Sequence, residues 1–174
     1  TTMTTLTPIN VLSTNEPNHD FSLLALDNSN NVFMATAKSI GNSLLFDNVM
    51  LKTNATTLLP IAWMVPTNYT FLELVSVNYV NNQYQGSNGF NGMAVNNNFL
   101  YTYDGRTLKK WDKNTGAMLA SAVVGNSPFD WGGLEVDECD NIYIGVSTDV
   151  KRYEVNLKLM ATIPFGYIVI DVRF

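Results

Sequence analysis

Short apolar alternations separated by polar, asparagine-rich turns recur along this chain. No stretch keeps apolar residues at i, i+3, i+4, i+7 for longer than two turns, so no amphipathic helix is predicted. Three segments share one pattern. Phe21-Ser-Leu-Leu-Ala-Leu-Asp27 is followed by a polar turn and Val32-Phe-Met-Ala35. Phe90-Asn-Gly-Met-Ala-Val-Asn96 is followed by a turn and Phe99-Leu-Tyr-Thr-Tyr103. Trp131-Gly-Gly-Leu-Glu-Val-Asp137 is followed by Glu-Cys-Asp-Asn141 and Ile142-Tyr-Ile-Gly145. Each has an aromatic residue, two mostly small residues, an apolar–x–apolar strand, an Asp or Asn, a polar turn and a second strand. Leu24, Met93 and Leu134 occupy the same position, spaced 69 and 41 residues apart.

A repeat of about 40 residues built only of short strands predicts an all-β fold of β-propeller blades, each four antiparallel strands. The 69-residue spacing is then one blade with an insertion, or one and a half blades too worn to recognise. Met3-Thr-Thr-Leu-Thr-Pro8 resembles Met160-Ala-Thr-Ile-Pro164, the outer strand that closes a blade. Ile170-Asp-Val-Arg-Phe174 has the look of an inner strand opening the next blade. The expected division is the end of a preceding blade over 1–18, a blade over 19–66, one or more blades with an irregular insertion over 67–129, a blade over 130–165, and a following blade's first strand over 166–174. Either the chain is a piece of a longer protein or its ends pair to close a ring. A ring needs about four to eight blades; about four 40-residue units is the minimum, which favours a partial propeller.

Within that frame, strands are expected near 21–26, 31–37, 44–47, 49–53, 107–111, 117–124 and 157–163. Thr70 to Val80 alternates well enough to predict the longest strand. Asn81 to Gly89 reads as a polar loop. Pro60 and Pro66 confine Leu58 to Val65 to an edge or bulge. Asp104-Gly105 is a two-residue hairpin signal, and Asp112-Lys-Asn-Thr-Gly116 a tight turn in which Gly supplies positive φ.

Charge changes the picture by exclusion. Charged residues are 14% of the chain, against a usual ~25%, and 22 asparagines supply turn chemistry in their place. Net charge is −5, and Lys109-Lys110 and Lys151-Arg152 are isolated pairs. Neither nucleic acid nor an anionic membrane is therefore expected as a partner. There is no apolar run of 18 residues to insert into a bilayer. Cys139 is the one cysteine, so no internal disulfide forms; this fits the cytosol and equally a secreted bacterial protein built without disulfides. The start T-T-M-T-T-L-T does not resemble a native N-terminus.

The block Leu108-Lys-Lys-Trp-Asp-Lys-Asn-Thr-Gly-Ala-Met-Leu119 resembles the outer hairpin of quinoprotein-like bacterial propellers, in which a strand ends in an aromatic–Asp pair before a Thr-Gly turn. Three wider runs, Gly92 to Gly116, Trp131 to Val146 and Val150 to Pro164, are similar to propeller segments of very large secreted surface proteins of gliding Bacteroidetes. That group includes mobile adhesins and often carries a sorting domain for type IX secretion; no such domain is present here. The resemblance covers Phe90 to Phe174 well and Phe21 to Asp47 loosely. It implies an extracellular, cell-surface structural or binding module whose partners are other domains or subunits of a surface assembly, or an extracellular polysaccharide or protein.

Candidate chemistry is sparse. Asp137, Glu138 and Asp140, with Glu135, crowd one strand and turn, and carboxylates with a carbonyl are hard-ion ligands of the kind Ca²⁺ takes. The bland reading is a solvated turn: Glu135 points opposite its strand neighbours, the spacing is not that of an EF-hand loop, and the matching turn Asn28–Asn31 has no acid. Phe21, Phe90 and Trp131 recur at one repeat position, and Tyr101 offers a similar ring, as do Tyr84 and Tyr103. The bland reading is blade-to-blade packing; the sharper one is an aromatic platform at the propeller mouth on which a sugar ring stacks. His19 is the one histidine and lies in a polar loop. Cys139 has no basic neighbours or C-x-x-C partner to activate it. Asn54-Ala-Thr56 and Asn68-Tyr-Thr70 match a glycosylation pattern that means little in a bacterial chain. Gly86, Gly89, Gly132 and Gly133 lack the lysine and following helix of a phosphate cradle, so no cofactor is implied. The expectation is a non-catalytic scaffold or binding module. The alternatives are a propeller hydrolase, lyase or quinoprotein-type enzyme, and a self-assembling surface filament component.

Overall fold

A computed structural model describes residues 20–39, 45–54, 75–76, 79–80, 83–84, 92–125 and 132–173. The first sheet holds β1 (Asp20–Leu26), β2 (Asn31–Ser39), β3 (Leu45–Asn54) and β4 (Val75–Ser76). A small hairpin follows, β5 (Tyr79–Val80) with β6 (Gln83–Tyr84). The second sheet holds β7 (Gly92–Val95), β8 (Phe99–Tyr103), β9 (Thr107–Asp112) and β10 (Met118–Val123). The third holds β11 (Leu134–Val136), β12 (Ile142–Val146), β13 (Asp149–Tyr153) and β14 (Leu159–Pro164). In each four-stranded sheet the spatial order equals the chain order and every pairing is antiparallel. No described residue is helical.

The repeat is obeyed residue by residue. Leu24, Met93 and Leu134 all sit in the first strand of their sheet, opposite Met34, Thr102 and Ile144 of the second. The fourth strands share a bulge. Leu119 is skipped between Met118↔Trp111 and Ala120↔Lys110, and Met160 between Leu159↔Tyr153 and Ala161↔Arg152. An extra residue at the same place in both blades bends each outer strand alike. The first strands lie side by side, β7 between β1 and β11. β1 and β7, 69 residues apart at their marker positions, are thus first strands of adjacent sheets; most of the chain between β3 and β7 lies outside the described residues.

Burial follows position in the blade. Middle strand β8 has Leu100 through Tyr103 buried on both faces, because a blade is sandwiched between two others. Outer strands β10 and β14 are mostly exposed. The core between the second and third blades joins Ala94, Tyr101, Tyr103 and Leu108 to Leu134, Ile142, Ile144 and Tyr153. Each of the leucine and isoleucine side chains among them contributes ~1.5–3 kcal/mol when buried completely.

Several expectations need correction. The strands expected at 44–47 and 49–53 are one strand, β3, because Asp47 and Asn48 stay in register with Lys38 and Ala37. β3, with 10 residues, is the longest described strand; of the strand expected over Thr70 to Val80, 75–76 and 79–80 are strand, in β4 and β5, and the rest lies outside the described residues. The Asp104-Gly105 hairpin forms, with Gly105 at φ 86° and Arg106 as the loop residues. Gly116 closes its turn at φ 74°, its N–H donating to Asp112 O at 2.8 Å.

Ile170 to Arg173 forms no strand, since no described strand flanks it as a ladder partner. Its backbone nevertheless lies where a next inner strand belongs. A Cβ added to Gly92 would lie 2.7 Å from Leu134 Cβ in the neighbouring blade, and one added to Gly133 would lie 3.0 Å from Val172 N. Asp171 and Val172 therefore stand to Gly133 as Gly133 and Leu134 stand to Gly92. The segment is held by Phe165 N–H donating to Thr148 O at 2.9 Å and Val169 N–H to Ser147 O at 2.8 Å. The expected strand Met3–Pro8, and His19, Trp63, Asn68-Tyr-Thr70, Gly86, Gly89, Phe90 and Trp131, lie outside the described residues.

Candidate functional site: the axial cleft and the rim turns

Because the first strands sit side by side, their exposed edges form one wall. A cleft of about 320 Å³ runs along it, lined by Leu24, Ala25 and Leu26 of β1, Met93, Ala94 and Val95 of β7, Glu135 of β11, and Arg173. Most of its lining residues are apolar by type, but the surface they turn to the cleft is chiefly polar, and one corner is charged. There Arg173 stands 3.6 Å from Glu135 and 3.3 Å from Asp171, and donates to Leu134 O at 3.5 Å. Two carboxylates thus offset one guanidinium. A chiefly polar lining with one charged corner suits a ligand that forms hydrogen bonds.

The turns leaving the first strands form the adjoining rim, and they show why Asp or Asn recurs there. Asp27 Oδ1 accepts from the N–H of Ser29 (2.8 Å) and Asn31 (2.9 Å). Asn96 Oδ1 accepts from Asn98 (2.9 Å) and Phe99 (2.8 Å). Asp137 Oδ1 accepts from Cys139 (2.9 Å) and Asn141 (2.8 Å). These are Asx turns, in which the side chain imitates a backbone carbonyl. The first and third are one motif, Asp-x-x-x-Asn. Asn31 and Asn141 each donate an amide N–H to the aspartate Oδ2, at 2.9 and 2.8 Å. Asn30 and Asp140, at the same place, both adopt left-handed backbone, φ 59° and 64°.

In this geometry Asp137, Glu138 and Asp140, the acids of the metal reading, do not converge on one point. Asp137 accepts from two backbone N–H groups, Asn141 and, at 3.2 Å, the Tyr143 hydroxyl. Burial pushes its carboxyl up, but the Asn141 side chain and the backbone donors outweigh that and hold it below its ordinary value. Glu138 is exposed. Asp140 Oδ1 instead accepts from Asn96 Nδ2 of the neighbouring blade. No group of three or more His, Cys, Asp or Glu gathers to hold a metal among the described residues.

The aromatic platform is also redrawn. Tyr101 is 0% exposed, inside the core between the second and third blades. Burial first, and then the Asp140 carboxylate, push its phenol pKa up. It is blade packing rather than a stacking surface, and Tyr103 is equally buried. Phe21 lies in β1 opposite Thr36. Cys139 is an exposed free thiol.

One functional element was missed: a polar rail across the rim. Lys113, in the β9–β10 turn of the second blade, donates to Asp27 Oδ2 at 2.8 Å and to Asn96 O at 3.2 Å. Lys113 and Asp27 are both buried. Burial raises the Asp27 carboxyl, yet donors from Asn31, Lys113 and the turn backbone lower it further, to about 2. Asn28 Nδ2 adds a bond to Asn97 Oδ1 at 3.1 Å. The shared aspartate–asparagine spacing of the two turns was the available signal; the 86-residue separation of Asp27 and Lys113 carried none.

No family model and no curated protein matches the chain. Among solved structures it is similar to a calcium-binding protein, regucalcin, from Agrobacterium tumefaciens: 12% identity, TM-score 0.53, over 91% of this chain and 50% of that one. It is also similar to a luciferin-regenerating enzyme: 14% identity, TM-score 0.51, over 88% of this chain and 48% of that one. The fold is that of a β-propeller. The chain spans about a third to about half the length of the solved propellers it matches. At these identities the likeness carries fold alone, and propellers include binding modules as well as enzymes.

Proposed function

We propose that the chain is a non-catalytic propeller module of an extracellular bacterial cell-surface protein, serving as a scaffold or a recognition surface. The observation that carries this reading is the use made of the rim's polar groups. Asp27, Asn96 and Asp137 cap their own turns, while Lys113 and Asp140 tie neighbouring blades. A group saturated by structural hydrogen bonds is a poor acid, base or ligand. Low charge and abundant Asn and Thr support a surface that contacts polysaccharide or protein through hydrogen bonds, with the axial cleft as the receiving site. The resemblance to gliding-associated adhesins supports the outside of the cell.

The test is labelling of intact source cells with an antibody raised against the 174-residue chain. The reading expects label on unpermeabilised cells, and loss of surface or polysaccharide attachment when the antibody is present. Label that appears only after permeabilisation would overturn the extracellular assignment.

A further inference from the structure

Among the described residues, the first strand of each four-stranded sheet pairs on one side only. Along such a strand the backbone alternates, one residue bonding to the partner strand and the next facing the open edge. The rim turns fix the phase. Asp27, Asn96 and Asp137 each donate N–H back toward the second strand, to Asn31 O, Phe99 O and Asn141 O. Ala25, Ala94 and Glu135, two residues earlier, face the same way. Leu24 with Leu26, Met93 with Val95, and Leu134 with Val136 therefore turn their N–H and C=O to the open edge. Leu24, Leu26, Met93 and Val95 all line the axial cleft, which is why apolar residue types give it a chiefly polar surface.

The third blade shows what such an edge takes. Leu134 O accepts from Arg173 at 3.5 Å, and Val136 N–H donates to Glu135 Oε1 at 3.1 Å. A carbonyl and an N–H two residues on are thus met by one donor and one acceptor, both from side chains. The other two blades carry the same backbone pair without those side chains. Arg173 stands to Leu134 as Glu135 stands to Met93 and Ala94 to Leu24, and neither a carboxylate nor a methyl group donates to a carbonyl. The place of Glu135 beside Val136 is held by Ala94 beside Val95 and by Ala25 beside Leu26, and neither accepts.

We propose that the cleft binds a neutral sugar residue, whose hydroxyls do along the first and second blades what Arg173 and Glu135 do along the third. This rests on the recognition reading above and names its ligand. A hydroxyl both donates and accepts, so neighbouring hydroxyls meet a carbonyl and an N–H alike. Charge selects a neutral ligand. Glu135 and Asp171 outnumber Arg173 at the charged corner, which repels an anion, and the guanidinium already fills the place a cation would take. The volume of about 320 Å³ lies at the small end of the ~300–1,000 Å³ of small-molecule sites, which fits a short sugar. A peptide strand would need a long edge to pair with, whereas each first strand turns only two residues of open edge to the cleft.

The experiment is titration calorimetry of the 174-residue chain with neutral trisaccharides of glucose, mannose and galactose, with glucuronic acid and glucosamine as charged sugars, and with tetra-alanine. The same titrations are run on Arg173→Ala and Leu26→Trp, which remove a donor from the cleft and fill it, and on Leu119→Ser of the outer strand β10. Leu26 and Leu119 are exposed, as is most of the Arg173 side chain, so all three variants fold, which circular dichroism checks. The expected result is saturable binding of at least one neutral sugar, weakened ~10-fold or more in Arg173→Ala, lost in Leu26→Trp and unchanged in Leu119→Ser. No binding of any neutral sugar, tighter binding of a charged sugar or of tetra-alanine, or binding that neither cleft variant weakens would overturn the proposal. Sugar binding by a chain that antibody finds only inside cells would keep the cleft assignment and overturn the extracellular reading alone.

Discussion

The joint between the first and second blades and the joint between the second and third solve one problem with different chemistry. Between the second and third blades, Tyr101, Tyr103 and Leu108 meet Leu134, Ile142 and Ile144, with lysines only at the margin: Lys110 reaches Val155 O, and Lys151 reaches Val124 O at 2.6 Å. Between the first and second, a buried lysine, Lys113, is drawn through the rim onto a buried aspartate. The repeat places Val155 where the second blade has Lys113. One position thus holds either an apolar residue whose carbonyl accepts a lysine, or a lysine itself. An apolar joint tolerates truncation in proportion to volume. A buried ion pair does not, because losing one partner strands a charge.

That difference sets the order of effects. Lys113→Met leaves Asp27 buried without its cation, and urea unfolding is expected to show a loss of ~3–5 kcal/mol; a loss under 1 kcal/mol would mean that Asp27 is solvated. Leu134→Ala in the apolar joint should cost ~2–5 kcal/mol, most of it from the cavity left beside Tyr101, measured the same way. Acid should act mainly on the ionic joint. The folded Asp27 carboxyl sits at about 2 and the ordinary value is 3.8. The unfolded chain therefore takes up the proton first as pH falls, and stability present above about pH 4 drains away between about 4 and 2, by ~2 kcal/mol. Stability curves across that range should steepen for the wild type and flatten for Lys113→Met. Smallest is Asn28→Ala, which removes an exposed bond at the same joint and should fall within ~0.5 kcal/mol; a larger loss would make the outer rim part of the fastening.

What was legible in the sequence was whatever recurs. The apolar–x–apolar strands around Leu24, Met93 and Leu134, the Asp or Asn that ends them, and Gly116 in its turn are local patterns, and each lies where its pattern puts it. Position across blades was not legible. Tyr101 reads first as blade packing and second as a platform, and the blade laid over it decides. Asp137 and Asp140 look like a cluster in sequence, but the turn between them aims one at Asn141 and the other at Asn96. The Asp27–Lys113 pair joins residues whose separation follows no repeat spacing, so nothing local announces it.

The most direct test of the account is a set of nuclear Overhauser contacts between first strands. With β7 beside β11, the Gly92 α-protons must lie against the Leu134 side chain, and the Tyr101 ring in the same core as Ile144. Contacts from Gly92 to Leu134, together with contacts across Met93–Thr102 and Leu134–Ile144 in their own sheets, are the predicted result. Gly92 contacts to a strand other than β11, or Leu134 paired outside its own sheet, would contradict the blade order and the equivalence of the repeats.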